Sequence, residues 1–575
     1  MTTLYDAPED FADDQLEGFL QLYADRLRGV PGGVVALPQG EPTVAVVVGG
    51  GSGHYPAFAG LVGPGFASGA VVGNIFTSPS AAHVYSVAKA AHRGRGVVLT
   101  FGKYAGDVMN FGIAAERLNA EGIDTRIVHV TDDVASAEDP SQRRGIAGDF
   151  VVFKAMGAAA ARGDSLDEVE RIGRAVNEHT RTMGVAFSGC TMPGADSPLF
   201  TVPEGHLGLG LGIHGEPGIR DVAMPRAREL ADMLVEPLLA DAAAETSRRV
   251  GVIVNGLGTT KYEELFLLFR HVSGLLAEAG YSLVEPEVGE LVTSLDMGGC
   301  SVTLVWLDDE SEPLWRADAY TPAYRKHSAA LTGIDPAAAA ALEDGGENED
   351  VPVYGEASAA LAEKVRAAVV AVAELIAREE TTLGEIDAVA GDGDHGRGMR
   401  KGTTAAWDAV ESLAGRAGAS FALRRAGQQW AERAGGTSGV LWGAALEAAS
   451  RTLDDSATDY DDASLRRGVV AFTETIQELG GAQKGDKTML DALLPFVERL
   501  TRDDSEPVGR AWAEAAATAV AAARDTAQLR PRVGRARPLA EKSLGHPDAG
   551  ATSMGMILQE LTGLVAGGQN ETNGK

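Results

Sequence analysis

The sequence predicts an α/β part of two lobes over residues 1–334 followed by an all-α domain over residues 357–575. Three observations carry that expectation. Short β-branched runs alternate with helix-length stretches through the first 330 residues, an Ala-rich and then acidic stretch interrupts the chain at 335–356, and beyond it the β-branched runs nearly vanish.

The runs in the first part are Val44–Val48, Val97–Thr100, Arg126–Val130, Val250–Val254 and Val302–Leu307, most of them ending in Gly, Asn or Asp. Helical-period stretches such as Ser80–Arg93 and Ser165–Thr182 lie between them. Strands alternating with helices of that length predict βαβ units and a largely parallel sheet. A single sheet rarely uses so many residues, so two lobes are expected, about 1–192 and 193–334, dividing after Cys190 around Pro193–Pro198. From Leu342 to Asp350 the chain carries five acids and no base, a composition that cannot bury a core and predicts a solvated linker.

In the second part Leu361, Val365, Val369, Val372 and Ile376 step by 4, 4, 3 and 4, one face of a helix. Similar patterns cover Gly402–Ala414, Phe421–Ala434, Val440–Leu453, Ala463–Leu479, Met489–Thr501, Val508–Gln528 and Thr552–Val565, eight helices in all.

The chain has 575 residues, with 50 Lys+Arg against 81 Asp+Glu, a net charge of −31. That balance argues against nucleic acid or an anionic membrane as the main partner, because both need clustered cations. Two cysteines, Cys190 and Cys300, cannot make a disulfide framework and are expected as buried thiols. No basic n-region or apolar h-region opens the sequence, and no run approaches the ~18 apolar residues of a membrane span. The expectation is a cytoplasmic protein.

The most specific local signal is Asp387-x4-Asp392-Gly-Asp394-His395-Gly396. Three carboxylates interleaved with glycine repel one another unless a cation lies between them. Hard divalent ions take such oxygen ligands, and Mg²⁺ is commonly held by few carboxylates together with substrate phosphates. An EF-hand fails, because its fifth and twelfth positions are Gly396 and Thr403. Ala434-Gly-Gly-Thr-Ser-Gly439, before a helix, offers backbone N–H groups to a phosphate. Gly480-Gly-Ala-Gln-Lys-Gly-Asp-Lys-Thr488 nearly fits a P-loop, but Asp486 occupies the Lys position and no strand precedes it. With the Asp triplet, these loops favour a Mg–nucleotide site, with Arg535 and Asp548 as candidates to close it. In the α/β part, strand Val44–Val48 runs into Gly49-Gly-Gly-Ser-Gly-His54, where backbone can approach a small polar ligand. His214, among flexible glycines, and Asp107, after strand Val97–Thr100, are two more polar groups in loops. Catalysis or ligation competes there with a structural role. No Cys/His spacing fits zinc.

These motifs, in this order, resemble the single-chain, ATP-dependent form of the dihydroxyacetone kinase family. The resemblance runs through Gly49–Pro56, Phe76–Ser80, Gly106–Phe111, Gly212–Pro217, Thr293–Met297, Gly391–Gly396, Gly435–Gly439, Gly485–Asp491 and Gly545–Ser553. It implies a ketose-binding part followed by an eight-helix barrel that binds ATP and Mg²⁺, two ions, and it implies a homodimer. It makes His214 the residue that forms a reversible hemiaminal with the ketose carbonyl, and His54 and Asp107 the acid/base pair. Gly51, Ser52, Gly53, Ser78 and Lys103 would bind the ketose, and Asp387, Asp392 and Asp394 the metal. His395, Gly396, Arg397, Gly398, Thr437, Ser438, Gly480, Met489, Arg535, Asp548, Ala549 and Gly550 match nucleotide-contacting positions. A covalent tether removes translational and rotational freedom and selects carbonyl compounds over glycerol.

Two loops depart from the family. Where it usually reads Gly-His-Glu-Pro-Ala-His-Ala-Gly, this chain has Gly53-His-Tyr55-Pro-Ala-Phe58-Ala-Gly60. Where it usually reads Lys-Asn-Tyr-Thr-Gly-Asp, the chain has Gly102-Lys-Tyr-Ala-Gly-Asp107, with the Lys one position late. This version is similar to the branch that phosphorylates four-carbon ketoses, which implies D-erythrulose as substrate and its 4-phosphate as product. The alternatives are dihydroxyacetone or glyceraldehyde, L-erythrulose, an FMN cyclase side activity, and a non-catalytic ketose sensor.

Overall fold

The computed structural model describes residues 2–216, 218–242, 247–327, 351–533 and 537–567. Packing divides the chain into two compact units, Met1–Ala340 and Ala341–Lys575. The expected acidic linker lies, up to residue 350, outside the described residues.

The first unit begins with α1 (Phe11–Leu22) and a six-stranded sheet formed by β1 (Leu27–Val30), β2 (Gly33–Ala36), β3 (Ala45–Ser52), β4 (Gly69–Ile75), β5 (Val97–Gly102) and β6 (Thr125–Val130). Their order is β1-β2-β4-β3-β5-β6. The four strands β4, β3, β5 and β6 run parallel, and β1 and β2 add antiparallel on one edge. All eight residues of β3 are buried, because helices cover both faces. Ala45 and Val47 point into a core shared with α2 (Ala81–Ala91) and α3 (Ala105–Ala120). Val46 and Val48 point the other way, toward Phe150 and Phe153 of α4 (Gly148–Arg162). That period of two explains why the run reads as unbroken valine.

After α5 (Leu166–Glu178) comes a second sheet, built from β7 (Thr180–Ser188), β8 (His206–Leu209), β9 (Arg220–Ala223), β10 (Arg249–Gly256), β11 (Ser282–Leu283), β12 (Glu287–Gly289) and β13 (Gly298–Trp306). Helices α6 (Ala227–Ala240) and α7 (Tyr262–Glu278) share its core with Val185, Val252 and Val302. This sheet corrects two expectations. Its main ladder β10-β13-β7-β8-β9 is antiparallel throughout, and only β11 and β12 lie parallel to β10. Its first strand is Thr180–Ser188, paired with β13 over most of its length, so the division between sheets falls near residue 179 rather than after Cys190. Helix α4 joins the two lobes, and 13 of its 15 residues are buried. Its Phe150 and Phe153 belong to one apolar cluster with Ala186, Ile253 and Val305 of the second sheet. A six-residue helix, α8 (Ser311–Arg316), packs on α4, and the buried Lys154 Nζ donates to its Leu314 carbonyl at 2.9 Å.

The second unit is helical among its described residues: α9 (Glu356–Ala388), α10 (His395–Ser412), α11 (Ala419–Ala434), α12 (Gly436–Ser450), α13 (Asp462–Gly480), α14 (Leu490–Leu500), α15 (Val508–Asp525), the one-turn α16 (Ala540–Ser543), α17 (Ala549–Glu560) and the short α18 (Thr562–Gly567). Each of the eight expected helices is present. Two begin a turn or more before their apolar pattern, α10 at His395 and α12 at Gly436, because the glycine-rich motifs themselves form their first turns. Trp430 and Trp442 stack face to face, centroids 4.8 Å apart, where α11 meets α12.

Candidate functional site

Polar groups gather where parallel strands end, the usual ligand position in such sheets. Gly49–Gly51 close β3, Phe76, Thr77 and Ser78 follow β4, Tyr104 and Asp107 follow β5, and Gly145 and Asp149 lie beyond β6. From the second lobe come Ile213, His214, Glu216 and Val292. Together they line a cavity of about 420 Å³. A Cβ on Gly51 would lie 2.6 Å from the Thr77 nitrogen, so only glycine lets these two strand ends meet. Phe76 adopts φ 53, a left-handed conformation unfavourable for a bulky residue. Its ring stacks on His54, centroids 5.1 Å apart, and meets His214 edge-on at the same separation.

The two histidines form the centre. His54 is buried, and its Nδ1–H donates to the Thr293 carbonyl at 2.8 Å. His214 donates from Nδ1–H to Glu216 Oε1 at 2.9 Å, and its backbone N–H donates to Oε2 at 3.0 Å. The remaining ring nitrogens face each other, His54 Nε2 to His214 Nε2, at 3.0 Å. A contact of that length needs one proton between them. Burial, with the neighbouring His214, lowers His54 to about 3, so His54 accepts and His214 donates. Burial acts to raise Glu216, but its hydrogen bond to His214, the charge of His214 and that of Arg144 hold it at about 2. Glu216 is therefore a permanent anion that pins the Nδ1–H of His214. His214 thus stands in the cavity wall with Nδ1–H on a carboxylate and Nε2 beside an accepting nitrogen, the arrangement an imidazole nucleophile needs.

Asp107 sits in the first turn of α3. Ser78 Oγ–H donates to its Oδ1 at 2.8 Å, and Asn110 donates in turn to Ser78 Oγ at 3.1 Å. Burial raises the Asp107 carboxyl, against the pull of Ser78 and His214. A carboxylate held above its ordinary range is a better proton acceptor.

Of the sequence-derived candidates in this unit, the structure brings together His54, Asp107, His214, Gly51 and Ser78. Ser52 and Gly53 stand behind the wall, where Gly53, at φ 100, passes close under the Phe76 ring. Lys103 is a correction: its Nζ donates to the Ser141 carbonyl and does not line the cavity. Beside a strand end, consecutive residues face opposite ways, so Tyr104 lines the cavity and Lys103 points out. Phe58 lines it too, whereas Tyr55 is 48% exposed and packs edge-on against Phe19. Glu216, Tyr104 and Asp149 were not singled out from sequence. Only Glu216 carried a signal, an acid two residues after a histidine.

In the helical unit, Asp387 lies on the last turn of α9, and Asp392 and Asp394 on the short connection to α10. Each offers one oxygen, and the three lie within 4.8 Å of one another. A Cβ on Gly391 would come within 2.4 Å of Asp387 Oδ1, and Gly393 turns the chain at φ 74. Glycine at both positions lets the carboxylates converge, and a set of three hard anionic oxygens fits a divalent cation.

Several candidates meet nearby. His395 opens α10, and its Nε2 lies 3.0 Å from Ser553 Oγ on α17. Asp548 caps α17 by accepting from the Ala551 N–H at 2.7 Å. Burial raises its carboxyl to about 6, with Asp491 and Asp387 adding to the rise. Gly550 lies against Met489, Gly398 faces the Ala434 carbonyl, and Gly480 faces Leu441 in the first turns of α12. Thr437 and Ser438 occupy the first turn of α12, Gly396 is buried in α10, Ala549 is buried in α17, and Arg397 is exposed. The N-termini of α10 and α17 thus lie near the carboxylates, a suitable setting for phosphates. Lys487, unremarked in the sequence, donates to the carbonyls of Leu529, Ser543 and His546 and ties this end together. Arg535 lies outside the described residues.

Residues 17–323 match the Dak1 domain and residues 389–563 the DAK2 domain. The chain is 54% identical to a D-erythrulose kinase of Mycolicibacterium smegmatis over 98% of this chain and 99% of that protein. It is 52% identical to an L-erythrulose kinase of Pectobacterium atrosepticum, over 98% and 97%. Among solved structures, the dihydroxyacetone kinase from C. freundii in complex with AMP-PNP and Mg²⁺ matches with a TM-score of 0.56 and 27% identity, covering 97% of this chain and 99% of that one.

Proposed function

The chain belongs to the dihydroxyacetone kinase family, with both its Dak1 and DAK2 domains, and from that premise we propose that it phosphorylates D-erythrulose to D-erythrulose 4-phosphate with ATP. It is an ATP-dependent kinase. The observation that carries the substrate class is His214 in the cavity wall, its Nδ1–H locked by Glu216 and its Nε2 beside His54.

In this reading the proton shared by His214 and His54 passes to the ketose carbonyl oxygen as the His214 Nε2 lone pair bonds to the carbonyl carbon, and the C=O π bond breaks to give the hemiaminal. The tether fixes the terminal hydroxyl, which removes much of the entropic barrier. Asp107, its carboxyl raised by burial and held by Ser78, takes the proton of that hydroxyl as it attacks the γ-phosphorus and ADP leaves, while His54 completes the acid/base pair at the carbonyl. His395, Thr437, Ser438, Asp548 and the N-termini of α10, α12 and α17 would hold the nucleotide. Asp387, Asp392 and Asp394 would hold Mg²⁺, two ions, which when bound neutralise charge on the phosphates. The reading includes a cytoplasmic homodimer, tested by light scattering in solution. L-Erythrulose is the second reading, favoured by the 52% identity to the enzyme of that name.

The test is a coupled kinase assay on D-erythrulose, L-erythrulose, dihydroxyacetone, glyceraldehyde and glycerol, with the product position read by NMR. The expected result is a kcat/KM for D-erythrulose at least about tenfold above dihydroxyacetone, the 4-phosphate as product, and no turnover of glycerol, a discrimination of about 1.4 kcal/mol. A preference for the L isomer replaces the stereochemical assignment. Equal turnover of glycerol and ketoses overturns the tether.

A further inference from the structure

We propose that Asp149 is a substrate-binding residue that sets the preference for a four-carbon ketose, its unpaired carboxyl taking the hydroxyl that a tetrulose carries and a triose lacks. The proposal rests on the ketose kinase reading and deepens it.

Asp149 is 4% exposed and lines the cavity, yet its Oδ1 has no hydrogen-bond partner. Buried polar atoms are nearly always paired, so an unpaired one on a residue that lines a cavity marks a place where a ligand group belongs. Its neighbour Asp132 shows what a structural acid looks like here: Oδ1 accepts from the Ile146 N–H at 2.9 Å and Oδ2 from the Gly148 N–H at 2.7 Å. Among the described residues no such backbone donor serves Asp149 Oδ1. The space beside it is kept bare by two glycines. A Cβ on Gly145 would lie 3.0 Å from Asp149 Oδ1 and 2.5 Å from the Gly102 Cα, and a Cβ on Gly102 would lie 2.9 Å from the Gly145 carbonyl. Gly102 is the position where the related loop usually carries lysine, so the cavity wall beside this acid here lacks a long cationic side chain. Tyr104 Oη, in the same wall, is also buried without a partner. Two unpaired groups able to donate and accept suit the hydroxyls of a polyol chain. Burial and the charges of Asp132 and Asp107 push the Asp149 carboxyl well above the ordinary aspartate range, toward the form that has an O–H to donate as well as an oxygen to accept.

The experiment compares full-length wild type with Asp149→Leu, Asp149→Val, Asp149→Thr and Asp149→Asn, measuring kcat/KM for both erythrulose isomers and for dihydroxyacetone. The expected result is that Asp149→Leu lowers the erythrulose-to-dihydroxyacetone ratio at least tenfold. Asp149→Asn, which still donates and accepts, keeps the ratio within about threefold. Asp149→Thr, whose hydroxyl also donates and accepts, keeps the ratio as asparagine does, and Asp149→Val carries the leucine test should that variant not fold. Variants that lose activity equally on all ketoses, or on none, overturn the proposal while leaving the kinase reading in place. Wild-type protein that turns over no ketose overturns the kinase reading, and the proposal with it.

Discussion

The cavity of the α/β unit and the acidic end of the helical unit solve opposite electrostatic problems. In the first, ionisable groups are buried and neutralise one another. Glu216 is fixed as an anion against His214, His54 is held neutral by burial, and the Asp107 carboxyl is pushed up. In the second, three carboxylate oxygens lie within 4.8 Å of one another, two of the residues exposed, a set that fits a divalent cation. The difference teaches how each site is assembled. The acidic end is local, eight positions from Asp387 to Asp394 on one helix end and its following turn. The cavity needs a contact between His54 and His214, 160 residues apart and on different lobes.

If the two sites are this independent, breaking one should leave the other's binding intact. The largest effect is expected for His214→Ala, a loss of ketose phosphorylation of about a thousandfold or more, since both the tether and its positioning go. Metal-dependent binding of AMP-PNP, measured by calorimetry, should be unchanged. The double variant Asp392→Asn/Asp394→Asn should show the converse, no metal-dependent nucleotide binding but erythrulose binding as in wild type. Loss of both ligands in either variant would show the two sites to be coupled and the comparison wrong.

The same contrast decides what could be read from the sequence. The Asp triplet was legible because its chemistry is written in consecutive residues, and so were the glycine loops at strand ends, because chain reversal there has a composition. The helices of the second unit were legible from one apolar face each, although α10 and α12 start a turn or more early, on glycines that carry no apolar period. Sheet order was not legible. A β-branched run has the same pattern in a parallel and an antiparallel ladder, so β7 and β13 gave no sign of pairing antiparallel or of starting a second sheet at residue 180. Nor could spacing separate Lys103 from Tyr104: neighbours in sequence, one leaves the cavity and the other walls it. Asp149 was hidden for a different reason. In sequence it is an acid in the first turn of a helix, a position that favours acids for the helix dipole alone.

Within the cavity the comparison sharpens to acids that titrate in different ways. Asp107→Asn should lower kcat by about a hundredfold or more, the usual contribution of a general base. The wild-type pH profile should fall on its acid side at a pH above the ordinary aspartate range, because burial raises Asp107 and the base works only when deprotonated. Asp107→Asn should lose that limb. A limb retained in the variant would assign it to another group.

The smallest effect separates a residue kept for its ligand from one kept for the fold. A buried carboxyl without a partner should cost stability, in contrast to the paired Asp132, and the cost should depend on pH. Burial raises the Asp149 carboxyl above its unfolded value, so the native state binds more protons than the unfolded chain as pH rises. Stability therefore falls with increasing pH, by at most about 1.4 kcal/mol per unit, from the free-aspartate range near pH 4 up to the native pKa, and the loss is complete above it. Asparagine at position 149 removes that dependence while keeping size and polarity. Thermal unfolding of full-length Asp149→Asn should then match wild type near pH 4.5 and exceed it by about 2 °C or more at pH 8. An Asp149→Asn variant less stable than wild type at every pH would make Asp149 a structural acid after all. Stability gained at pH 8 with discrimination lost in Asp149→Leu is the pattern expected where a cavity holds a strained group for its substrate.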